Sequence, residues 1–223
     1  NLYELTYMKD VQERNHLRNA EGLYKVVLML ASCIGSPTNP KRMSDTFKSV
    51  EKKSITDKTI LNYIECLKDA FLIEEALRYD VKGRKYIGTE TKYYFEDIGL
   101  RNVILNFRQQ EEPHIMENII YNELKYRGFN VDVGFVESWT TNSSGKTSRL
   151  GLEIDFVVNK GAERIYIQSA FKLPTEEKKE QEERSLLNIN DNFKKIIITG
   201  ENIKRKIDEK GILTIGLLDF LLD

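Results

Sequence analysis

At 223 residues the chain exceeds one typical domain of ~150 residues and falls short of two large ones, so two small domains are expected. Its 40% hydrophobic and 31% charged residues are those of a globular protein and exclude general disorder. A formal net charge of −1 excludes a global basic field that would draw the whole molecule onto nucleic acid or an anionic membrane. No apolar run approaches the ~18 residues of a transmembrane helix; the best, Leu23 to Ile34, is interrupted by Lys25. The two cysteines, Cys33 and Cys66, form neither a disulfide framework nor a metal motif, which fits a reducing compartment. A cytoplasmic protein with no membrane partner is expected. The first residues are Asn-Leu-Tyr, with no initiator Met and no signal-peptide pattern, so the chain reads as a piece of a longer protein.

In chain order, Tyr7 to Arg18 reads as a polar helix and Gly22 to Gly35 as a buried one, stopped by glycine and then by Pro37 and Pro40. Met43, Phe47 and Val50 fall at helical spacing, giving a short second helix of the buried set. Ser54-Ile-Thr-Asp-Lys supplies a turn with cap residues. The third helix runs from about Asp57 to Ala70, with Ile60, Tyr63, Ile64, Leu67 and Phe71 as its inner stripe. Leu72–Tyr79 and Lys85–Ile87 read as strands around a Lys82-Gly83-Arg84 turn. Three helices followed by a β-hairpin is the order of a winged helix. Lys92 to Asn102 leads into a connecting helix, and a longer helix runs from about Ile115 to Arg127, with Gly128 as its stop. Strands are expected at Asn130–Ser138, Leu150–Asn159, Arg164–Phe171, Lys195–Thr199 and Ile212–Leu217, with a charged helix from Thr175 to Leu187. The expected division is a linker helix over 1–20, a winged helix over 21–92 and an α/β domain over 93–223. The fold class is therefore α+β or α/β, with a mixed central sheet.

Ser143-Ser-Gly-Lys-Thr147 invites a phosphate-loop reading. The pattern needs a first glycine where Thr140 stands, and a loop leading from strand to helix; here it joins two strands. Gly151-Leu-Glu-Ile-Asp-Phe-Val-Val158 carries more. Alternation puts Glu153, Asp155 and Val157 on one face and Leu152, Ile154 and Phe156 on the other. An acidic pair in an apolar strand costs desolvation free energy unless it is paired or binds a cation. The strand at Ile165 is likewise broken by Gln168, and the preceding helix carries Glu117 and Glu123. These groups could converge on a hard cation such as Mg²⁺, or form a hydrogen-bonded cluster that fixes helix to sheet. His16 and His114 have no partners at ligand spacing. The run Glu176 to Arg184 pairs its charges at helical spacing and reads as a solvated face, and Trp139 as a loop anchor or contact residue.

The helix with Glu117, the strand Glu-Ile-Asp155 and the strand Ile167-Gln-Ser-Ala170 resemble the core of the PD-(D/E)xK restriction-endonuclease-like fold. More broadly, the chain resembles the C-terminal half of a prokaryotic group of AAA-type P-loop ATPases, in which an ATPase domain precedes a winged helix and a domain of unknown function. The segments that carry the resemblance are Tyr7-Met-Lys-Asp-Val-Gln-Glu-Arg-Asn, Lys92-Tyr-Tyr-Phe-Glu-Asp-Ile-Gly-Leu-Arg-Asn, Met116-Glu-Asn-Ile-Ile-Tyr-Asn-Glu-Leu and Leu152-Glu-Ile-Asp-Phe-Val-Val. The resemblance implies a missing N-terminal ATPase domain as first partner, with ATP and Mg²⁺ bound there and no cofactor in this part beyond Mg²⁺ at the nuclease-type site. It also implies that Glu117 and Asp155 stand at metal positions, Gln168 at the second acid and Ala170 at the lysine that stabilises charge on the attacked phosphate. Both substitutions remove charge, so no efficient nuclease is expected unless Lys172 or Lys125 replaces the lost cation.

DNA is the candidate partner of the helical half. Lys58 and Asn62 lie on the solvent face of the third helix, and Lys52, Lys53, Lys82, Arg84 and Lys85 could surround it. Between Lys41 and Lys92 stand 12 Lys+Arg against 9 Asp+Glu, a net of +3, a weaker footprint than most DNA readers carry. Three readings follow: a regulatory binding region without catalysis, a metal-dependent nuclease with a migrated lysine, and a protein-contact module.

Overall fold

The computed structural model describes residues 8–51, 55–88, 90–141, 145 and 147–223. Two compact units share the chain: residues 1–76 with 89–118, and residues 77–88 with 119–223.

The first unit is built on helices α1 (Lys9–Arg14), α2 (Ala20–Ser32), α3 (Pro40–Glu51) and α4 (Asp57–Asp69). Each of two starts has a local cause. The Asn19 side chain accepts from the Gly22 amide at 2.9 Å and caps α2; Thr56 does the same for α4 through the Thr59 amide at 3.2 Å. Caps of this kind contribute about 1 kcal/mol each. The apolar stripes then meet: Leu23, Val27 and Leu30 of α2, Met43 and Phe47 of α3, and Ile60, Ile64 and Leu67 of α4 form one buried cluster. Ser44 in α3 donates to the Ile55 carbonyl at 2.7 Å, tying α3 to the residue just before the Thr56 cap of α4. Strands β1 (Ile73–Ala76) and β4 (Lys92–Phe95) close the unit as a two-stranded antiparallel ribbon, running from Ile73 opposite Phe95 to Ala76 opposite Lys92. Helix α5 (Ile98–Ile104) follows, capped by Asp97.

This ribbon differs from the hairpin expected at Leu72–Tyr79 and Lys85–Ile87. The strand breaks at Leu77. Its first part pairs with Lys92–Phe95, which reads in the sequence as a lead-in to a helix. Its second part, β2 (Arg78–Asp80), forms the short hairpin with β3 (Lys85–Tyr86) and runs parallel to β5 (Asn130–Thr141) in the second unit. Stacking favours that pairing: the Arg78 guanidinium lies 4.4 Å from the Phe135 ring centre.

The second unit adds strands β6 (Thr147–Lys160), β7 (Glu163–Ala170), β8 (Lys194–Thr199), β9 (Lys206–Ile207) and β10 (Ile212–Gly216), and its helices include α7 (Glu176–Leu187) and α8 (Leu217–Leu222). The strands form a mixed sheet of eight in the order β3-β2-β5-β6-β7-β8-β10-β9. A parallel crossover through α7 joins β7 to β8, and β10 adds parallel to β8. Leu186 of α7 is buried in one cluster with Val136, Ile154, Val157, Tyr166, Ala170, Ile197 and Ile212. Helix α6 (Glu112–Tyr126) sends its residues from Ile119 onward to this unit, where Tyr121 packs 6.3 Å from Phe156.

A β-bulge alters the expected alternation of β6. Asp132 pairs with Val157 but Gly134 with Ile154, so Asp155 and Phe156 together oppose Val133. Ile154 and Val157 therefore share one core cluster instead of facing opposite ways. The chain is a mixed α+β protein with a mixed central sheet. Among the described residues no helix is long and apolar enough to cross a membrane.

Candidate functional site

Of the residues that the sequence resemblance would set at nuclease-type positions, Glu117 belongs to the first unit and Asp155, Gln168 and Ala170 to the second. Glu117 is a core residue. Its Oε1 receives the Lys92 ammonium at 2.9 Å and the Tyr94 hydroxyl at 2.7 Å, and the Lys92 and Glu117 side chains are only 4% and 10% exposed. A Cβ added at Gly35, whose φ is +67°, would stand 3.1 Å from Glu117 Oε2, so the backbone comes close to the carboxylate there. The next residue, Asn118, uses both ends of its amide on one backbone unit. Its oxygen accepts from Phe95 N and its nitrogen donates to Phe95 O, each at 2.8 Å. A carboxylate held by an ammonium and a hydroxyl already has its cation, and this surrounding does not fit a divalent metal at Glu117. Among the described residues, no three His, Cys, Asp or Glu side chains are grouped so as to hold a metal ion.

In the second unit, Asp155 Oδ2 accepts from the Ser169 amide at 2.8 Å, just beyond Phe156 and Ile167, where the regular pairing of β6 with β7 ends. Gln168 turns towards α7: its Nε2 donates to Glu182 at 3.2 Å and its Oε1 accepts from Ser185 at 3.3 Å. Ala170 is buried under Leu186 in the core. Lys172, which would have to replace the missing lysine, is exposed beside its own neighbour Phe171.

The basic candidates divide in the same way. Lys58 and Asn62 are exposed on α4 of the first unit. Lys82, Arg84 and Lys85 are exposed on the β2–β3 turn of the second. Lys52 and Lys53, and most of the Ser143–Thr147 segment, lie outside the described residues. The turn is well defined. Asp80 accepts from the Gly83 amide at 2.9 Å, Lys82 Nζ donates to the Glu137 carbonyl at 2.8 Å, and Arg84 takes the left-handed backbone at φ 52°. The Tyr86 hydroxyl donates to Asp132 at 3.2 Å; burial pushes the Asp132 carboxyl above its ordinary value, against the pull of that hydrogen bond.

Two structural cations escape a reading of the sequence. One is Lys92. The other is Arg101 in α5, which is fully buried and donates from Nε to the Ala31 carbonyl at 2.8 Å, at the C-terminal end of α2 where the helix dipole favours a positive charge. Its Nη1 also donates to the Gln109 carbonyl at 2.7 Å. Burial pushes the guanidinium below its usual value, though it stays charged. Nothing in one sequence separates such a lysine or arginine from a solvated one, because the partners lie 25 and 70 residues away.

Residues 1–111 match the model of a domain of unknown function, DUF8612. An uncharacterized protein of Haemophilus influenzae is 34% identical over 222 residues, covering 99% of this chain and 51% of its own length. The chain thus spans about half the length of that relative. The crystal structure of protein VC1899 from Vibrio cholerae matches at 13% identity and a TM-score of 0.30, over 96% of this chain and 53% of that one.

Proposed function

We propose that this chain is a non-catalytic binding region that grips the phosphate backbone of DNA, serving a larger protein of the AAA-type ATPase kind that its sequence resembles. One observation carries the reading: the groups at nuclease-type positions are committed to the fold while exposed cations are left over. Glu117 neutralises Lys92, Gln168 is hydrogen-bonded to α7 and Ala170 is in the core. The β2–β3 turn meanwhile presents Lys82, Arg84 and Lys85 within four residues. Compact, ordered cations of this kind contact phosphate and fix register without reading sequence. The helical unit supports the same reading through α4, whose cap at Thr56 leaves Lys58 and Asn62 exposed on the first two turns, as a winged helix would present them.

The test is fluorescence anisotropy of a labelled duplex, titrated with the chain at two salt concentrations with Mg²⁺ present. Binding should weaken steeply with salt, and the duplex should remain intact. Replacing Lys82, Arg84 and Lys85 together by Glu should lower the salt slope by about 0.9 for each phosphate that is no longer neutralised. Absence of binding at low salt would overturn the proposal and leave a protein-contact module. Cutting of the duplex would overturn its non-catalytic part.

A further inference from the structure

Beside the β2–β3 turn lies a pocket of about 250 Å³, lined by Val81, Lys82, Arg84, Arg164, Asp191 and Phe193 among others. All of them belong to the second unit. Its wall is fixed by a connected set of contacts. Arg164 donates from Nε to Asn159 at 2.8 Å, and its guanidinium stands 5.6 Å from the ring centres of both Tyr79 and Phe193. The Tyr166 hydroxyl donates to Asp191 Oδ2 at 2.7 Å, the Phe193 amide donates to Oδ1 at 3.2 Å, and the Phe193 ring meets Tyr166 edge-on at 6.4 Å. Lys195 holds the loop from beneath by donating to the Ile189 carbonyl at 3.0 Å.

The charges in this pocket do not cancel. Three cations face one carboxylate, and both oxygens of that carboxylate already accept hydrogen bonds. Lys82 spends one donor on the Glu137 carbonyl and keeps two. Arg84 makes no hydrogen bond or ion pair among the described residues, and it occupies a backbone region that costs a bulky residue free energy. Phe193, tethered on one side, is 42% exposed at the same place. A compact anion joined to a flat ring answers both features: the anion meets Lys82 and Arg84, and the ring stacks on Phe193. At about 250 Å³ the pocket lies below the roughly 300–1,000 Å³ of sites that enclose a whole ligand, so it holds part of such a unit and leaves the rest in solvent.

We infer that this pocket binds a single nucleoside monophosphate unit, with its phosphate on Lys82 and Arg84 and its base against Phe193. The unit is either a free nucleotide or the 5′-phosphorylated end of a strand. The inference shares Lys82 and Arg84 with the proposed DNA contact and rests on the phosphate-binding reading of that turn.

The experiment is calorimetric titration of the whole chain with adenosine and guanosine monophosphate, and with short single strands that carry either a 5′-phosphate or a 5′-hydroxyl. Nucleotide binding should weaken about tenfold or more in Arg84→Asn, which suits the left-handed backbone while deleting the charge, and in Phe193→Ala. Lys206→Gln, on β9 at the opposite edge of the sheet from the β2–β3 turn, should leave it unchanged. Circular dichroism melts should show both pocket variants folded; if Phe193→Ala does not fold, Phe193→Leu replaces it. A 5′-phosphorylated strand that binds about tenfold tighter than its hydroxyl counterpart and than free nucleotide assigns the source to strand ends. Equal binding of free nucleotide and phosphorylated strand assigns it to the nucleotide itself. Duplex binding without any nucleotide binding up to roughly millimolar concentration overturns this inference and leaves the DNA reading standing. Nucleotide binding without duplex binding does the reverse. Inorganic phosphate binding as tightly as the nucleotides would overturn the role given to Phe193.

Discussion

The ammonium of Lys92 lies 2.9 Å from Oε1 of Glu117, and the Tyr94 hydroxyl donates to the same oxygen. Two residues of strand β4 thus converge on one buried carboxylate of helix α6. A buried pair of this kind adds little beyond what apolar residues of the same volume would, but removing one partner strands the other charge. Glu117→Ala should therefore destabilise the chain by about 3–5 kcal/mol, read from urea denaturation. The double replacement Lys92→Met with Glu117→Leu should cost much less than the two single changes together. Tyr94→Phe should cost about 1 kcal/mol. If Glu117→Ala left stability unchanged and abolished an activity instead, the carboxylate would be functional and not structural.

Restoring the residues that a nuclease of the resembled type would carry should not restore cleavage. Gln168→Glu brings a second carboxylate to the place where the amide now donates to Glu182 at 3.2 Å, and Ala170→Lys pushes a charged chain into the core under Leu186. The first change should destabilise by about 1–2 kcal/mol at neutral pH, the second by about 3 kcal/mol or more. The cost of Gln168→Glu should shrink as pH falls. Two facing carboxyl groups have a raised pKa in the folded state, so stability is present at low pH and lost as pH rises through that value. Mg²⁺-dependent cutting of a plasmid by the double variant would show instead that the site can still be completed.

The element positions of the second unit follow largely from local pattern: the strands from β5 to β8, β10 and the crossover helix α7 all lie where periodicity puts them. What local pattern could not carry was pairing at a distance. Lys92–Phe95 reads as the approach to a helix, yet it is a strand because Ile73–Ala76 and the Asn118 amide satisfy its backbone. Those contacts, with the Lys92 and Tyr94 side chains on Glu117, bring together Lys92-Tyr-Tyr-Phe and Met116-Glu-Asn. Strict alternation through Glu153, Asp155 and Val157 is a fair reading of the residue types. The bulge that interrupts it depends on register against Val131–Gly134, which no single strand reveals. For the candidate site, the identities of Glu117 and Gln168 were legible and their partners were not.

Gly134 sits where β5 meets the bulge, and a Cβ there would lie 2.7 Å from Val157 Cγ2 and 2.8 Å from Ile154 Cβ. Both neighbours are fully buried and anchored in the core under α7. Gly134→Ala should destabilise by about 1–3 kcal/mol through overpacking. Pairing Gly134→Ala with Val157→Ala removes the nearer clash but opens a cavity, and should not return full stability. Thermal melts of the two variants against the parent chain check both outcomes; a neutral Gly134→Ala would mean that β5 and β6 are free to slide apart here.

Alkaline pH should weaken the first unit through Cys33. Its thiol follows α2, and burial pushes it up to about 11 from an ordinary value of 9.0, against the opposing pull of Arg42. The neutral thiol is the form that the fold prefers. Between pH 9 and 11 the unfolded chain has lost this proton while the folded chain still holds it. Stability is therefore fully present below pH 9 and falls as pH rises through the folded value, by roughly 2–3 kcal/mol for a shift of this size. Cys66 and Tyr93 shift the same way, also through burial first, so the parent alone cannot isolate the effect. The comparison is with Cys33→Ala. Denaturation midpoints measured from pH 8 to 11 should fall less steeply for Cys33→Ala than for the parent, and the difference between the two should grow only above pH 9. The same protonated thiol should react with iodoacetamide at pH 8 at least about tenfold more slowly in the folded chain than in urea; equal rates would show that Cys33 is not shielded.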